Sequence, residues 1–470
     1  MVNVLLYDTG DSRGENNEPL GIEVIGGRIL QEFGTNVNLI LRWLNCDGLP
    51  SAPDLNAQII GISLNIKQLD IFDKIYKKIK SINNNALIFV GNVVATYGYE
   101  YLLKKYKDII CMIGEGEEIY IQIIKSFLEN DLEMDRINNI AFWKEGICTT
   151  NRKIADLKYY VKPIRAFNDY ILNCKGIARI EGSRGCSWRK CDFCCVNYKY
   201  NLFSWREIDN EKIIEQIKEL ALHGIKSIYF TDEDFIGSDI SHLKKMIDGI
   251  KTIKKNYVTI KDVNFFISIK PIDILRKDVF ELLKEFISVG LREIFIGIES
   301  GCESQLRRYN KCTTKRINGE ALERAKELNV DIDIGFILFD PEITVEELQE
   351  NINFIEKYKI YNYGSNFIKK LRIQSFTEYE RKTDARNRLK FDLNNLEYIY
   401  DFEDKKIQKI YDLYSQLKWD DYAYKLQNVY RGEIENEKAR LKLKKQIVSF
   451  RKKQFEHLKK LFQDITNVEI

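Results

Sequence analysis

Cys186, Cys191, Cys194 and Cys195 fall within the stretch "GCSWRKCDFCCVN" at residues 185–197, while the other six of the chain's ten cysteines are scattered over 470 residues. Thiolates gathered this tightly, in a chain with no secretory leader, point to metal or redox chemistry rather than a disulfide framework. Zinc usually takes four ligands, as two C-x2-C pairs or one pair with histidines. Here one pair and an outlier are present, and the nearest histidine is His223. A zinc site would have to recruit Cys195, whose adjacency to Cys194 makes joint ligation awkward. An iron–sulfur cube held by Cys186, Cys191 and Cys194 fits the C-x4-C-x2-C spacing better and leaves one iron open. Cys195 is then a spare thiol, either packed or close to the chemistry.

Polar groups also close several apolar runs. "YFTDEDF" (229–235), "FISIK" (266–270), "GIESG" (297–301) and "GFILFDPEITVEEL" (335–348) each read as a strand with its loop. They offer Asp232, Glu233, Ser268, Lys270 and Glu299 for a ligand, or as structural groups at strand ends. Cys302 and Cys312 lie beside the third run, and either could pack or donate a hydrogen atom. In the first third, "DTGDSRG", "SLN", "GNVVATYG" and "GEGEE" occupy equivalent strand ends. Gly61, Gly91, Gly114 and Gly116 there mark tight turns where backbone can approach a ligand. "GEGEE" serves equally well as a helix start, its carboxylates favoured by the helix dipole.

The elements that must position these groups are legible from periodicity. Residues 1–150 alternate short apolar runs with amphipathic helices, the pattern of a Rossmann-like, doubly wound parallel sheet in an α/β fold. Residues 151–175 connect it to a second alternating series over 176–375. That series has six βα repeats, too few for an eight-stranded barrel, and predicts a partial (β/α)6 barrel. From 376 to 470 the chain is charged and helical in period, predicting a C-terminal helical domain whose lysines form a solvated face.

Composition sets limits. Lys and Arg number 73 against 70 Asp and Glu, a net charge of +3 that is too even for a nucleic-acid surface. No run of about 18 apolar residues is present, so no membrane span is expected, and the reading is cytoplasmic.

Residues 176–375 resemble the radical S-adenosylmethionine (SAM) enzymes, whose loop is most often C-x3-C-x2-C with an aromatic residue before the last cysteine. Phe193 holds that position, and one extra residue separates the first two cysteines. "GIESG" followed by "RRYNKCTT" is similar to a further family segment. The resemblance implies a [4Fe-4S] cluster on Cys186, Cys191 and Cys194, with SAM among Phe193, Asp232, Glu233, Ser268, Lys270 and Glu299. The pattern "EPLGIEVIGG…GISLN…FVGN…MIGEGEE" resembles the cobalamin (B12)-binding domain that precedes the barrel in one class of these enzymes. It implies cobalamin beside Ser63, Leu64, Gly91, Asn92, Gly114, Glu115 and Gly116. The N-terminal domain holds no histidine, so none from it can lie under cobalt. Methylthiotransferases share the order of domains, but Cys46, Cys111 and Cys148 do not resemble their cluster pattern. The resemblance implies a methyltransferase that acts on an unactivated carbon of a peptide or small natural product, with an electron donor such as flavodoxin or ferredoxin. Cyclisation, rearrangement or oxidation without methyl transfer is the alternative. A non-catalytic, metal-stabilised binding protein is the alternative of another class.

Overall fold

The computed structural model describes residues 1–11, 16–363, 367–417, 419, 426, 429–431 and 437–467. Part of the "DTGDSRG" loop (residues 12–15) lies outside them. The N-terminal sheet contains β1 (Val2–Asp8), β2 (Val37–Trp43), β3 (Ile59–Ser63), β4 (Leu87–Gly91), β5 (Ile109–Met112), β6 (Ile140–Trp143) and β7 (Ile147–Thr149). Its order is β2-β1-β3-β4-β5-β6-β7. The first five strands are parallel, and the last two join antiparallel.

Alternation along β1 shows why this sheet is covered on both faces. Val4 and Leu6 pack with Ile22, Ile29, Ile119 and Ile123 from helices Leu20–Phe33 and Glu117–Leu128. Leu5 and Tyr7 turn the other way, toward Phe72, Ile75, Leu102 and Leu103 from helices Leu69–Ile82 and Asn92–Lys105. Near-continuous apolar strands are what a parallel sheet between two helical layers requires. The chain leaves β1 in opposite directions to reach β2 and β3, which opens a crevice at their carboxyl ends.

The second sheet has the order β14-β13-β12-β11-β8, with β8 (Ala178–Ile180), β11 (Ser227–Phe230), β12 (Asn264–Ile269), β13 (Leu291–Glu299) and β14 (Asp331–Phe336) all parallel. Between β8 and β11, β9 (Ser183–Arg184) pairs antiparallel with β10 (Arg206–Glu207). That pair closes the neck of the cysteine loop. Among the described residues, the sixth expected repeat forms no regular ladder. It meets the end of β14 through a parallel bridge between Phe339 and Lys370, flanked by Leu338 and Phe339 N–H groups donating to the Lys369 carbonyl.

The C-terminal region includes a feature its charged pattern hides. β15 (Lys390–Asp392) and β16 (Glu397–Ile399) form an antiparallel hairpin. The Asp392 carboxylate accepts the Asn394 and Asn395 N–H groups in its turn, and Phe391 stacks on Tyr101 of the N-terminal domain. Beyond it, helix Lys405–Ser415 is capped by Asp404. Ile407, Ile410 and Tyr414 of that helix join the same core as Phe455, Leu458 and Phe462 of helix Glu437–Thr466. Among the described residues no helix is long and apolar enough to cross a membrane.

Candidate active site

The cysteine loop leaves β9 and ends in the short helix Val196–Lys199. All ten cysteines are free thiols. Burial pushes the Cys191 thiol up to about 12, while the Lys311 ammonium pulls it down and the charges of Cys186, Cys312 and Glu299 oppose ionisation. Burial also raises Cys194, which feels Cys195, Cys191 and Cys186. Phe193 meets the ring of Tyr309 edge-on at 5.5 Å, with the Lys311 ammonium 6.0 Å from its centroid. Cys312 is half-buried and within electrostatic range of Lys311, Lys270 and Cys186. Cys302 is buried in contact with the Ser304 hydroxyl.

Three rings clamp the loop's helix. Tyr198 stacks on Phe376 at 4.0 Å, and Phe376 stacks on Tyr99 at 5.5 Å. The N-terminal domain, the loop and the C-terminal region each give one ring. Tyr97 adds a hydrogen bond to the Cys195 carbonyl.

The three consecutive acids after β11 separate into three roles. Asp232 is buried and accepts from the Gly182 N–H at 2.9 Å and the Ser183 hydroxyl. Burial, together with Glu233 and Glu181, pushes its carboxyl up to about 7. Glu233 accepts from Lys199 (3.1 Å), Tyr200 (2.9 Å) and the Gly185 N–H. Asp234 takes both the N–H and the hydroxyl of Ser187 inside the cysteine loop. Lys270 bridges Asp234 and the Ser187 hydroxyl, with Asp273 at 3.4 Å. Ser268 touches the Tyr229 hydroxyl. Glu299 ends β13 in a left-handed conformation and pairs with Lys311 at 3.3 Å. Its carboxylate lies over Gly297 and Gly335, where a Cβ would meet it at 2.9 and 3.3 Å.

A cavity of about 350 Å³ joins the crevice of the N-terminal sheet to the barrel. Asp8, Ser63, Asn65 and Asn92 line one side, and Glu181, Arg184, Lys199, Tyr200 and Thr231 line the other. The Asp8 carboxylate accepts from the Gly10 N–H, the Ser63 hydroxyl and the Asn65 amide, and burial raises its pKa. The Asn92 amide donates to Ser63 and Asn65. Gly91, Gly114 and Gly116 also line the cavity. Gly114 has φ +83°, and a Cβ there would stand 2.5 Å from the Lys199 carbonyl. Two expected cobalamin contacts point elsewhere. Leu64 is fully buried in the core beneath the opposite face of the sheet. Glu115 lines the cavity, but its carboxylate is taken up by Arg184 and Arg206, both at 2.8 Å, and by the Ala155 N–H.

Residues 180–355 match the family model of the radical SAM superfamily, and residues 9–124 match that of the B12 binding domain. The chain carries a radical SAM domain and a B12-binding domain. This radical SAM protein is 30% identical over 350 residues to 4'-phospho-dehydrooxetanocin synthase of Priestia megaterium, across 69% of this chain and 45% of that one. It is 30% identical over 336 residues to hopanoid C-3 methylase of Methylococcus capsulatus, across 69% and 61%. The chain thus spans less than two thirds of the length of either relative. Among solved structures it resembles the cobalamin-dependent S-adenosylmethionine radical enzyme OxsB with aqua-cobalamin and SAM bound. The TM-score is 0.86 at 22% identity, covering all of this chain and 74% of that one.

The groups that such domains take are a [4Fe-4S] cluster with SAM, and cobalamin. Among the described residues of this radical SAM protein, no three Cys, His, Asp or Glu side chains stand close enough to hold a metal ion. The donor set nevertheless fits a three-thiolate cluster by its chemistry. Three soft ligands share one loop, each within electrostatic range of another, and the Lys311 and Lys270 ammonium groups stand by to offset thiolate charge. The crevice offers a polar ligand amides and a hydroxyl that converge at the point where the sheet reverses direction. Sequence reasoning missed Asp8, Asn65, Tyr97, Arg184, Asp234 and Lys311. Asp8, Asn65, Tyr97, Asp234 and Lys311 stood inside segments already singled out. Arg184 gave no signal, because its partner Glu115 is 69 residues away.

Proposed function

We propose that this protein is a cytoplasmic, cobalamin-dependent radical SAM methyltransferase acting on an unactivated carbon of a peptide or small natural product. The observation that carries the reading is the single cavity shared by the sheet crevice and the barrel. When bound, the cluster with SAM supplies one-electron chemistry at a C–H bond, and cobalamin supplies methyl-group transfer.

The chain's own residues bind, orient and exclude. Cys186, Cys191 and Cys194 hold the cluster. Lys270 and Asp234 fix the Ser187 backbone, and so the loop's entry, through contacts of 2.5–3.0 Å. Glu233, held by Lys199 and Tyr200, and Glu299, held by Lys311, present carboxylates for the SAM amino group and ribose. Asp232 supports the β8–β9 turn beneath them. Ser63, Asn65 and Asn92 offer hydroxyl and amide groups to cobalamin, and Gly91, Gly114 and Gly116 let backbone approach it. The Tyr99–Phe376–Tyr198 stack keeps water from one side of the loop.

Anaerobic purification from cobalamin-supplied cells tests the reading. About four irons per chain, near-stoichiometric corrinoid and methylated products are expected. Cluster without corrinoid would remove methyl transfer. The name of the Priestia megaterium relative, a synthase rather than a methylase, favours a second reading, radical chemistry that ends without a methylated product.

A further inference from the structure

Helix Glu437–Thr466 has two unlike sides. Ile447, Phe455, Leu458 and Phe462 turn inward and are buried. The cations away from the outer face have partners. Arg440 and Lys444 meet Asp331 at 2.6 and 2.5 Å, Lys459 meets Glu356 at 2.8 Å, and Arg451 donates to Gln454 at 2.9 Å. On the outer face Lys438, Lys442, Lys445, Lys452, Lys453 and Lys460 are exposed. At 3.6 residues per turn they fall within an arc of about 100°, and from first to last they run about 33 Å along the helix. Among the described residues, no carboxylate pairs with any of the six. Glu456 is the one carboxylate of the helix inside the arc, which holds no arginine and no aromatic ring.

Soluble surfaces ordinarily intersperse both signs of charge. This helix carries ten cations against three carboxylates, a net +7, in a chain whose total is +3. The rest of the chain is therefore net −4, and the positive field is concentrated on the C-terminal region. Six unpaired like charges in a straight row repel one another and serve no contact within the molecule. An extended anionic surface relieves that repulsion along the whole row at once. Nucleic acids and lipid headgroup layers both present such a surface, and the chemistry of the row selects between them. Nucleic-acid recognition favours forked arginines and stacking aromatics, and the row has neither. Lysines near an anionic bilayer each add to binding without needing a fixed geometry. Leu441, 50% exposed at the edge of the row, adds an aliphatic side chain that a bilayer can take up and a phosphate backbone cannot.

We propose that this row is a docking face for the anionic headgroups of a phospholipid bilayer, which holds the protein at a membrane surface without inserting the helix. The buried side of the helix is committed to the core, so binding uses the charge of the lysines and the side chain of Leu441. The inference goes beyond the reading of the cofactor sites and stands whether or not that reading holds.

The test measures partition of the intact protein onto sedimented vesicles of phosphatidylcholine, with and without about 30% phosphatidylglycerol. Binding is expected to the mixed vesicles only, and it should weaken as salt rises. Lys445→Gln, Lys452→Gln and Lys453→Gln should each lower the partition coefficient by about fivefold, whereas Lys452→Arg with Lys453→Arg should keep it. Leu441→Ser should weaken binding and leave its salt dependence unchanged. These side chains are exposed, so the thermal midpoints of the variants should match wild type. Absence of binding to the mixed vesicles at low salt would overturn the proposal, as would equal binding to pure phosphatidylcholine or indifference to the glutamine changes. Tighter binding to double-stranded RNA at matched phosphate concentration would assign the row to nucleic acid and overturn it. Self-association that the glutamine changes abolish would assign the row to a second copy of the chain, with the same consequence.

Discussion

Replacing Arg184 with Met should cost more than its size suggests. Its guanidinium is 5% exposed and meets three carboxylates: Glu115 at 2.8 Å, Glu117 at 2.5 Å and Glu181 at 2.8 Å. Glu115 lies in the loop after β5, Glu117 opens the helix that follows it, and Glu181 lies in the loop after β8, so the contact welds the sheet domain to the base of the cysteine loop. Arg206 would remain on Glu115, leaving two carboxylates of the group without a cation. Breaking a buried pair by removing one partner costs about 3–5 kcal/mol. Glu117 and Glu181 keep 13% and 19% of their side-chain exposure, so water recovers part of that, and about 3 kcal/mol is expected. Equilibrium urea unfolding of the cofactor-free chain reads this directly. Adding Glu117→Gln to the Met variant should return about 1 kcal/mol. A loss under about 1 kcal/mol, or one indifferent to Glu117→Gln, would refute this account of the cluster.

Asp232→Asn should change the pH dependence of stability. The folded carboxyl holds its proton up to about 7 against an ordinary value of 3.8, so its contribution is complete below the lower value and is lost as pH rises through the upper one. The stability of wild type relative to the Asn variant should therefore fall by about 4 kcal/mol across that window, and a flat difference in urea midpoints would contradict it. Gly114→Ala sets a Cβ against the Lys199 carbonyl at a left-handed position. It should cost about 2–3 kcal/mol and lower corrinoid retention, measured together by thermal unfolding and by absorbance of the purified protein.

The fold was legible wherever strands were apolar and helices amphipathic, because those periods are local. The hairpin at residues 390–399 was not, since "KFDLNNLEYI" lies in a charged stretch read as helical and its stabilising partner, Tyr101, is far away in sequence. That Cys186, Cys191 and Cys194 share one loop was legible for the same local reason. The acids of "TDEDF" were not separable by sequence: Asp232, Glu233 and Asp234 differ only in which neighbours the turn brings to each. Leu64 shows a rule left unused. Side chains alternate along an extended backbone, so Ser63 and Asn65 share the cavity while Leu64 between them faces the core.

The Tyr99–Phe376–Tyr198 stack also orders events in time. During synthesis Tyr99 and Tyr198 leave the ribosome first, and the middle ring follows about 180 residues after the second of them. At roughly 5–20 residues per second, that interval is on the order of ten to thirty seconds. For that long the nascent cysteine loop stands with its clamp open, accessible to whatever delivers iron and sulfide, and the last ring to arrive closes it.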